Sequence, residues 1–215
     1  MKTKLMMSAM ALLSICAAQS AMAQRTTSKA KVTWGPEIKA PRSSTLQDIF
    51  AVENDAFYAM RSEKSSSLLE KYDLNCKQLL SVELELSHDK KKHGLEEIIH
   101  IGDEIYLFSS FENKKEEKNY LFVETINKKT LVPGNMKKIA EIDYAGQKRW
   151  NSGSYSFKTS SDSSHIMIFF DKPHEKEGTD KFGFQIYNSK MELQWESDID
   201  SKYEDELFNC KSKKY

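Results

Sequence analysis

The chain has 215 residues, 32 Lys+Arg balanced by 32 Asp+Glu, with 39% hydrophobic and 11% aromatic residues. This length fits one domain or at most two, the apolar content excludes disorder throughout, and zero net charge lacks the basic surplus a nucleic-acid binder sets against phosphates. Three cysteines are too few for a small disulfide scaffold, and eight glycines with four prolines exclude a collagenous or low-complexity chain.

Residues 1–23 read as a secretory signal peptide. Lys2 and Lys4 form a positive start, an apolar run follows from Leu5 to Ala18, and Ala21-Met22-Ala23 supplies small residues at −3 and −1 before Gln24. The run is shorter than the ~20 apolar residues of a membrane span. Ile15 is too bulky to precede a lipid-modified Cys16. Cleavage after Ala23 leaves 192 residues with two fewer lysines, a formal charge of −2, and Cys76 and Cys210 as the remaining cysteines. Export, to the periplasm or beyond the cell, permits a disulfide. Two thiols far apart in sequence do not by themselves predict one.

The mature chain, 24–215, reads as one repeat domain. It contains short β-branched and aromatic runs separated by Asn, Asp, Gly and Lys, the pattern of strands and tight turns. They group into three units of four strands, about 46–86, 95–144 and 154–199, with a partial unit at 203–210. An Asn-X-Lys turn precedes the fourth strand of each unit, at Asn75, Asn127 and Asn188, a period of about 50 to 60 residues. Asn suits that place because it tolerates left-handed backbone and hydrogen-bonds its own turn.

The second strands are apolar on both faces, with Ile105 and Leu107 against Tyr106 and Phe108, and Ile166, Ile168 and Phe170 against Met167 and Phe169. Leu121 and Val123 oppose Tyr120 and Phe122 in the same way. Fourth strands instead alternate, as in Val82, Leu84 and Leu86 against Glu83 and Glu85. Middle strands covered on both faces, beside a half-wet last strand, predict all-β, four-stranded antiparallel sheets stacked as propeller-like blades. A β-sandwich is the alternative, but it buries one face of each strand and calls for cleaner alternation. Trp34-Gly35-Pro36-Glu37-Ile38 reads as a partial outer strand before the first unit, matching the Trp-to-Ile spacing of Trp195 and Ile199. Tyr203 to Phe208 resembles the start of a fourth unit.

These features, from the leader through Trp34-Gly35-Pro36 to the stretch 161–199, resemble exported bacterial β-propeller repeat proteins with Tol-type repeats over residues 32–208. The Ser161-Asp162-Ser163-Ser164 turn is similar to their Ser-x-Asp turns but lacks the usual Pro and Gly. It also lacks the Gly and Trp of the sialidase Asp-box, and the Gly-His and Trp-Asp pairs of WD-repeat propellers are missing. The resemblance implies a fold, export and a binding platform. Closed propellers have about four to eight blades, so three units read as a truncated member, with open sheet edges inviting self-association.

Motifs for chemistry are sparse. There is no Gly-x-Ser-x-Gly elbow, P-loop, dinucleotide fingerprint, Cys-x-x-Cys or His-Glu-x-x-His. No catalytic, cofactor or metal residue is therefore assigned. His88-Asp89-Lys90-Lys91-Lys92-His93, with His100 downstream, has imidazoles and a carboxylate suited to a transition metal, but its lysines oppose a dication and a solvated loop accounts for it better. His174 reads as a hairpin tip and His165 as a packed or hydrogen-bonded strand opener. Asp103, Asp162 and Asp180 are the carboxylates that a calcium site or a glycosidase pair would use, although Asp also favours turns for its own sake. The charged run 113–118 reads as a solvated tip. The aromatic pairs Tyr106/Phe108, Tyr120/Phe122 and Phe182/Phe184 read as core between sheets rather than as a base-stacking platform. The expected role is an exported, non-enzymatic binding or structural module for a protein, peptide or glycan. The rival is an extracytoplasmic hydrolase of glycan or peptide.

Overall fold

The computed structural model describes residues 26–27, 30–31, 34–35, 37, 43–64, 66–88, 90–146, 152–173 and 179–204. The expected signal peptide, Cys16 and Cys210 lie outside them. The described chain is all β, without a helix. Two-residue strands β1 (Thr26–Thr27) and β2 (Ala30–Lys31) pair with each other. Sheet one then comprises β3 (Ser44–Val52), β4 (Ala56–Glu63), β5 (Ser66–Asp73) and β6 (Gln78–Glu83). A small hairpin follows, β7 (Ser87–His88) with β8 (Lys91–Lys92). Sheet two comprises β9 (Gly94–Ile101), β10 (Glu104–Asn113), β11 (Lys118–Thr125) and β12 (Lys137–Asp143). Sheet three comprises β13 (Ser154–Thr159), β14 (His165–Lys172), β15 (Thr179–Asn188) and β16 (Leu193–Glu204).

Each sheet is an antiparallel meander in which spatial order follows chain order. The strands begin and end close to where the residue pattern placed them. Two differences stand out. Leu84 and Leu86 leave the ladder after Glu83, with the Leu84 N–H donating to Ser67 O at 2.8 Å. At the other end β16 continues through Tyr203 and Glu204, with Glu204 opposite Thr179, so the first two residues of the partial unit 203–210 extend sheet three. The rest of that unit lies outside the described residues. Trp34, Gly35 and Glu37 belong to no strand. Gly35 is pressed onto the β5–β6 turn so closely that a methyl group there would collide with Cys76 Cβ and the Asn75 carbonyl.

The central strand of sheet two, β10, is covered on both faces. In β10, Ile105 and Leu107 pack with Ala56, Tyr58 and Leu69 of sheet one, while Tyr106 and Phe108 pack with Ile166, Ile168 and Phe170 of sheet three. Ile105, Leu107 and Phe108 are fully buried, and each such side chain contributes about 1.5–3 kcal/mol relative to exposure. Three sheets with a doubly covered middle one replace the two-sheet sandwich. The first strands come together, β9 touching both β3 and β13. Toward the fourth strands of sheets two and three a groove opens between β12 and β16. The outward face of sheet three carries half-buried Phe169, Phe182 and Phe184 and leaves Trp195 49% exposed.

The repeated turn is real, but its anchor differs in sheet one. Asn127 Oδ1 accepts from the N–H groups of Lys129 and Thr130 at 2.9 and 3.2 Å. Asn188 Oδ1 accepts from Lys190 and Glu192, both at 3.0 Å. In sheet one that oxygen belongs to Asp73, which accepts from Asn75 and Lys77, both at 2.9 Å. Asn75 is thus the counterpart of Lys190. A carboxylate oxygen serves the turn as well as an amide oxygen does.

Candidate functional site

The residues singled out for chemistry do not converge. His88 lies in β7 with its side chain outside the described set, as is Asp89, and Lys91 and Lys92 are exposed in β8. His93 is buried instead of solvated. Its ring stacks on Phe111 at 5.4 Å and lies 5.1 Å from Phe122, with Nδ1 3.4 Å from Ser109 Oγ. His93 therefore seals the upper end of sheet two. His165 is exposed and bonded through Nδ1 to Ser164 Oγ at 2.6 Å; His174 lies outside the described residues. Asp103 sits exposed in the β9–β10 turn, and Asp180 falls in β15 with its side chain undescribed. Asp162 serves its own turn, accepting from Ser160 Oγ at 2.6 Å, Ser164 Oγ at 2.8 Å and the Ser164 N–H at 3.1 Å. Those bonds hold its carboxyl down at about 2. Among the described residues no three His, Cys, Asp or Glu side chains gather as a ligand set for a metal.

His100 belongs to a polar tie between sheets one and two. Its Nε2 is 3.8 Å from Glu53 Oε1, too long for a hydrogen bond. Lys128 Nζ binds the same oxygen at 2.6 Å, and Tyr58 OH donates to Glu53 Oε2 at 3.2 Å. Lys128 in particular keeps the Glu53 carboxyl below its ordinary range. Beside this tie, a groove of about 420 Å3 runs over the three first strands, with Asp48, Glu97, His100 and Lys158 among its lining.

The larger groove, about 500 Å3, opens between sheets two and three. One wall is β12 (Lys138 to Glu141) and the other comes from Phe170, Lys172, Phe184, Gln185 and β16 (Glu196 to Asp198). The sheet-three wall carries an anchored carboxylate, Asp198, whereas Glu141 stands opposite Tyr120 on the face of sheet two turned away from sheet three. Glu141 is held by Lys118 Nζ at 2.5 Å and Lys138 Nζ at 2.9 Å; those bonds, led by Lys118, keep its carboxyl below the usual range. Lys172 Nζ binds Asp198 Oδ1 at 2.8 Å, and Gln185 Nε2 donates to Glu196 Oε2 at 3.2 Å. Beneath lies Tyr187, whose hydroxyl donates to Gln185 Oε1 at 2.8 Å and approaches the Ile139 carbonyl at 3.3 Å; burial pushes it up to about 12. Gly183 keeps space in this wall, because a side chain there would collide with Asp198 Oδ1 and crowd the Phe170 ring. Fixed acceptors on the sheet-three wall, Glu196 and Asp198, beside Phe170 and Tyr187 make a surface for holding a polar ligand.

Sequence reasoning missed this groove. Nothing in the order of residues brings β12 beside Gln185 and Asp198. It also missed a buried network on the outer side of sheet one. There Arg61 Nε grips Glu70 at 3.1 and 3.0 Å, joined by Tyr72 OH and Gln78. The signal was an Arg and a Glu on adjacent strands, readable only once the β4–β5 register is known. Among the described residues no helix is long and apolar enough to cross a membrane. No protein-family model matches the chain, and no curated protein or solved structure matches it.

Proposed function

We propose that this chain is an exported, non-enzymatic binding or structural module of the β-propeller type. The observation that carries the reading is the stack itself. Three four-stranded sheets lie face on face, the middle one packed on both sides, with first strands together and a groove open between sheets two and three. Such stacking builds rigid walls between which ligands settle, and it needs no moving catalytic group. The apolar run and small-residue cleavage site at 1–23 support export.

Of the carboxylates of the rival hydrolase reading, Asp103 and Asp162 sit in turns of different sheets and Asp180 in β15, and Asp162 is engaged by Ser160 and Ser164. An activity screen of the purified chain on polysaccharide and peptide substrates tests the choice. Binding without release of products is expected. Hydrolysis that disappears in Asp103→Asn or Asp162→Asn would establish the enzyme instead.

A further inference from the structure

Sheet two is packed on both sides, whereas sheet three has one packed side and one bare one. The bare side is a regular grid, set by the register and by the alternation of side chains. Phe169 and Phe184 stand opposite each other in its middle row, flanked by Ser156 and Ser197. On one side of that row lie Ser154, Asp171, Phe182 and Ile199; on the other lie Lys158, Met167, Ile186 and Trp195. Trp195 and Ile199 are 49% and 38% exposed, and a continuous apolar patch of this kind marks an interaction surface.

The rings decide what fits it. Phe169 stacks on Phe182 and Phe184 on Trp195, with centroids 5.6 and 5.3 Å apart, and Phe182 lies 6.2 Å from Phe184. Their faces are turned to one another, so a sugar or a base would find ring edges rather than a flat platform. Ring edges and aliphatic side chains suit a second pleated surface, packed ~10 Å away as stacked sheets are. The grid is also complementary to itself. A two-fold axis lying in the face and crossing the strands at the middle row exchanges the two outer rows. Trp195 then meets the partner's Ile199, and Phe182 meets the partner's Ile186. Lys158 comes within one strand spacing, ~4.8 Å, of the partner's Asp171, and symmetry makes that contact twice. The other end of the stack offers no such match. The outward side of sheet one carries the Arg61–Glu70 pair with Tyr72 and Gln78, and Glu70 and Tyr72 are already buried there. Four strands ~4.8 Å apart and three rows ~6.8 Å apart make a face of about 20 by 20 Å per copy. With the relief of the side chains, two copies bury about 1,000 Å2, the lower bound of a specific interface.

We infer that two copies of this chain pack sheet three on sheet three, through Phe184 and Trp195, as a two-fold dimer. The dimer uses the side of sheet three turned away from the groove, so it is independent of what the groove binds.

Sedimentation equilibrium of the purified chain over a dilution series tests the dimer. The mass reaches that of two chains and falls to one on dilution, as an interface of this size implies. Phe184→Glu sets like charges across the axis and gives a monomer at every concentration. Lys158→Glu and Asp171→Lys each turn two attractive contacts into repulsive ones and weaken the dimer about tenfold, and the two changes together in one chain restore it. Both residues are exposed, so the charge exchange keeps the test open if Phe184→Glu fails to fold. Ile49→Glu, on the outward side of sheet one, leaves the dimer unchanged. Raising the concentration slows amide exchange in β14 and β15 and leaves β10 as it was. A single-chain mass throughout overturns the inference. So does a dimer insensitive to Phe184→Glu and to the charge exchange, a dimer lost in Ile49→Glu, or growth beyond two copies.

Discussion

Asp73, Asn127 and Asn188 hold one kind of turn with two kinds of side chain. What the turn needs is an sp2 oxygen aimed at N–H groups two to four residues on, and the amide supplies it as well as the carboxylate. Asp73→Asn is therefore expected to leave stability within about 0.5 kcal/mol, and Asp73→Ala to cost about 1 kcal/mol, read from urea midpoints. Asn75→Ala should be close to neutral, because only its backbone N–H serves the turn. This is why the repeat was legible in the sequence while its first anchor was misplaced by two residues: a search for one letter cannot see a shared oxygen. Glu53 gives a second prediction at this scale. Its carboxyl is held down by Lys128, so its contribution is present above the unfolded value near 4.5 and is lost as pH falls through the lower folded value. The difference in melting temperature between the parent and Glu53→Gln should be constant near neutral pH and shrink below about pH 4.5. A gap that widens on acidification would contradict the ion pair.

Among the elements, β10 carries most of the architecture, since its two faces belong to two different cores. That much was readable, because Ile105, Tyr106, Leu107 and Phe108 leave no polar face for water. β3 tells the opposite story. Its Leu46, Ile49 and Val52 are exposed, although the strand is as apolar as its neighbours, and residue type alone could not say which face lacks a cover. Leu107→Ala should cost about 2–5 kcal/mol, the range for large-to-small changes in a packed core. Ile49→Ala should cost less than about 0.5 kcal/mol. Equal costs would mean that the outward side of β3 is packed after all. The grooves were illegible for a further reason. The larger lies between β12 of sheet two and β14, β15 and β16 of sheet three, the other runs over β3, β9 and β13, and such meetings depend on the angle between sheets rather than on any local pattern.

For the whole molecule, the three sheets form a stack with unlike ends. Sheet two is shared, whereas sheet three turns Trp195 and its neighbouring phenylalanines outward. Tyr106 OH to Ser189 O at 3.0 Å and Tyr155 OH to Asn119 O at 2.6 Å pin sheets two and three together, and Lys128 to Glu53 pins one and two. The groove exists only if sheets two and three share a core, so the binding-module reading depends on the stack. Native-state hydrogen exchange tests it most directly, because opening free energy scales with how completely a segment is packed. In the monomer, the amides of β10 and the centre of β11 should exchange slowest, followed by β14, with β16 and β3 fastest among the long strands. Protection that is equal in all three sheets, or highest in sheet one or three, would contradict it.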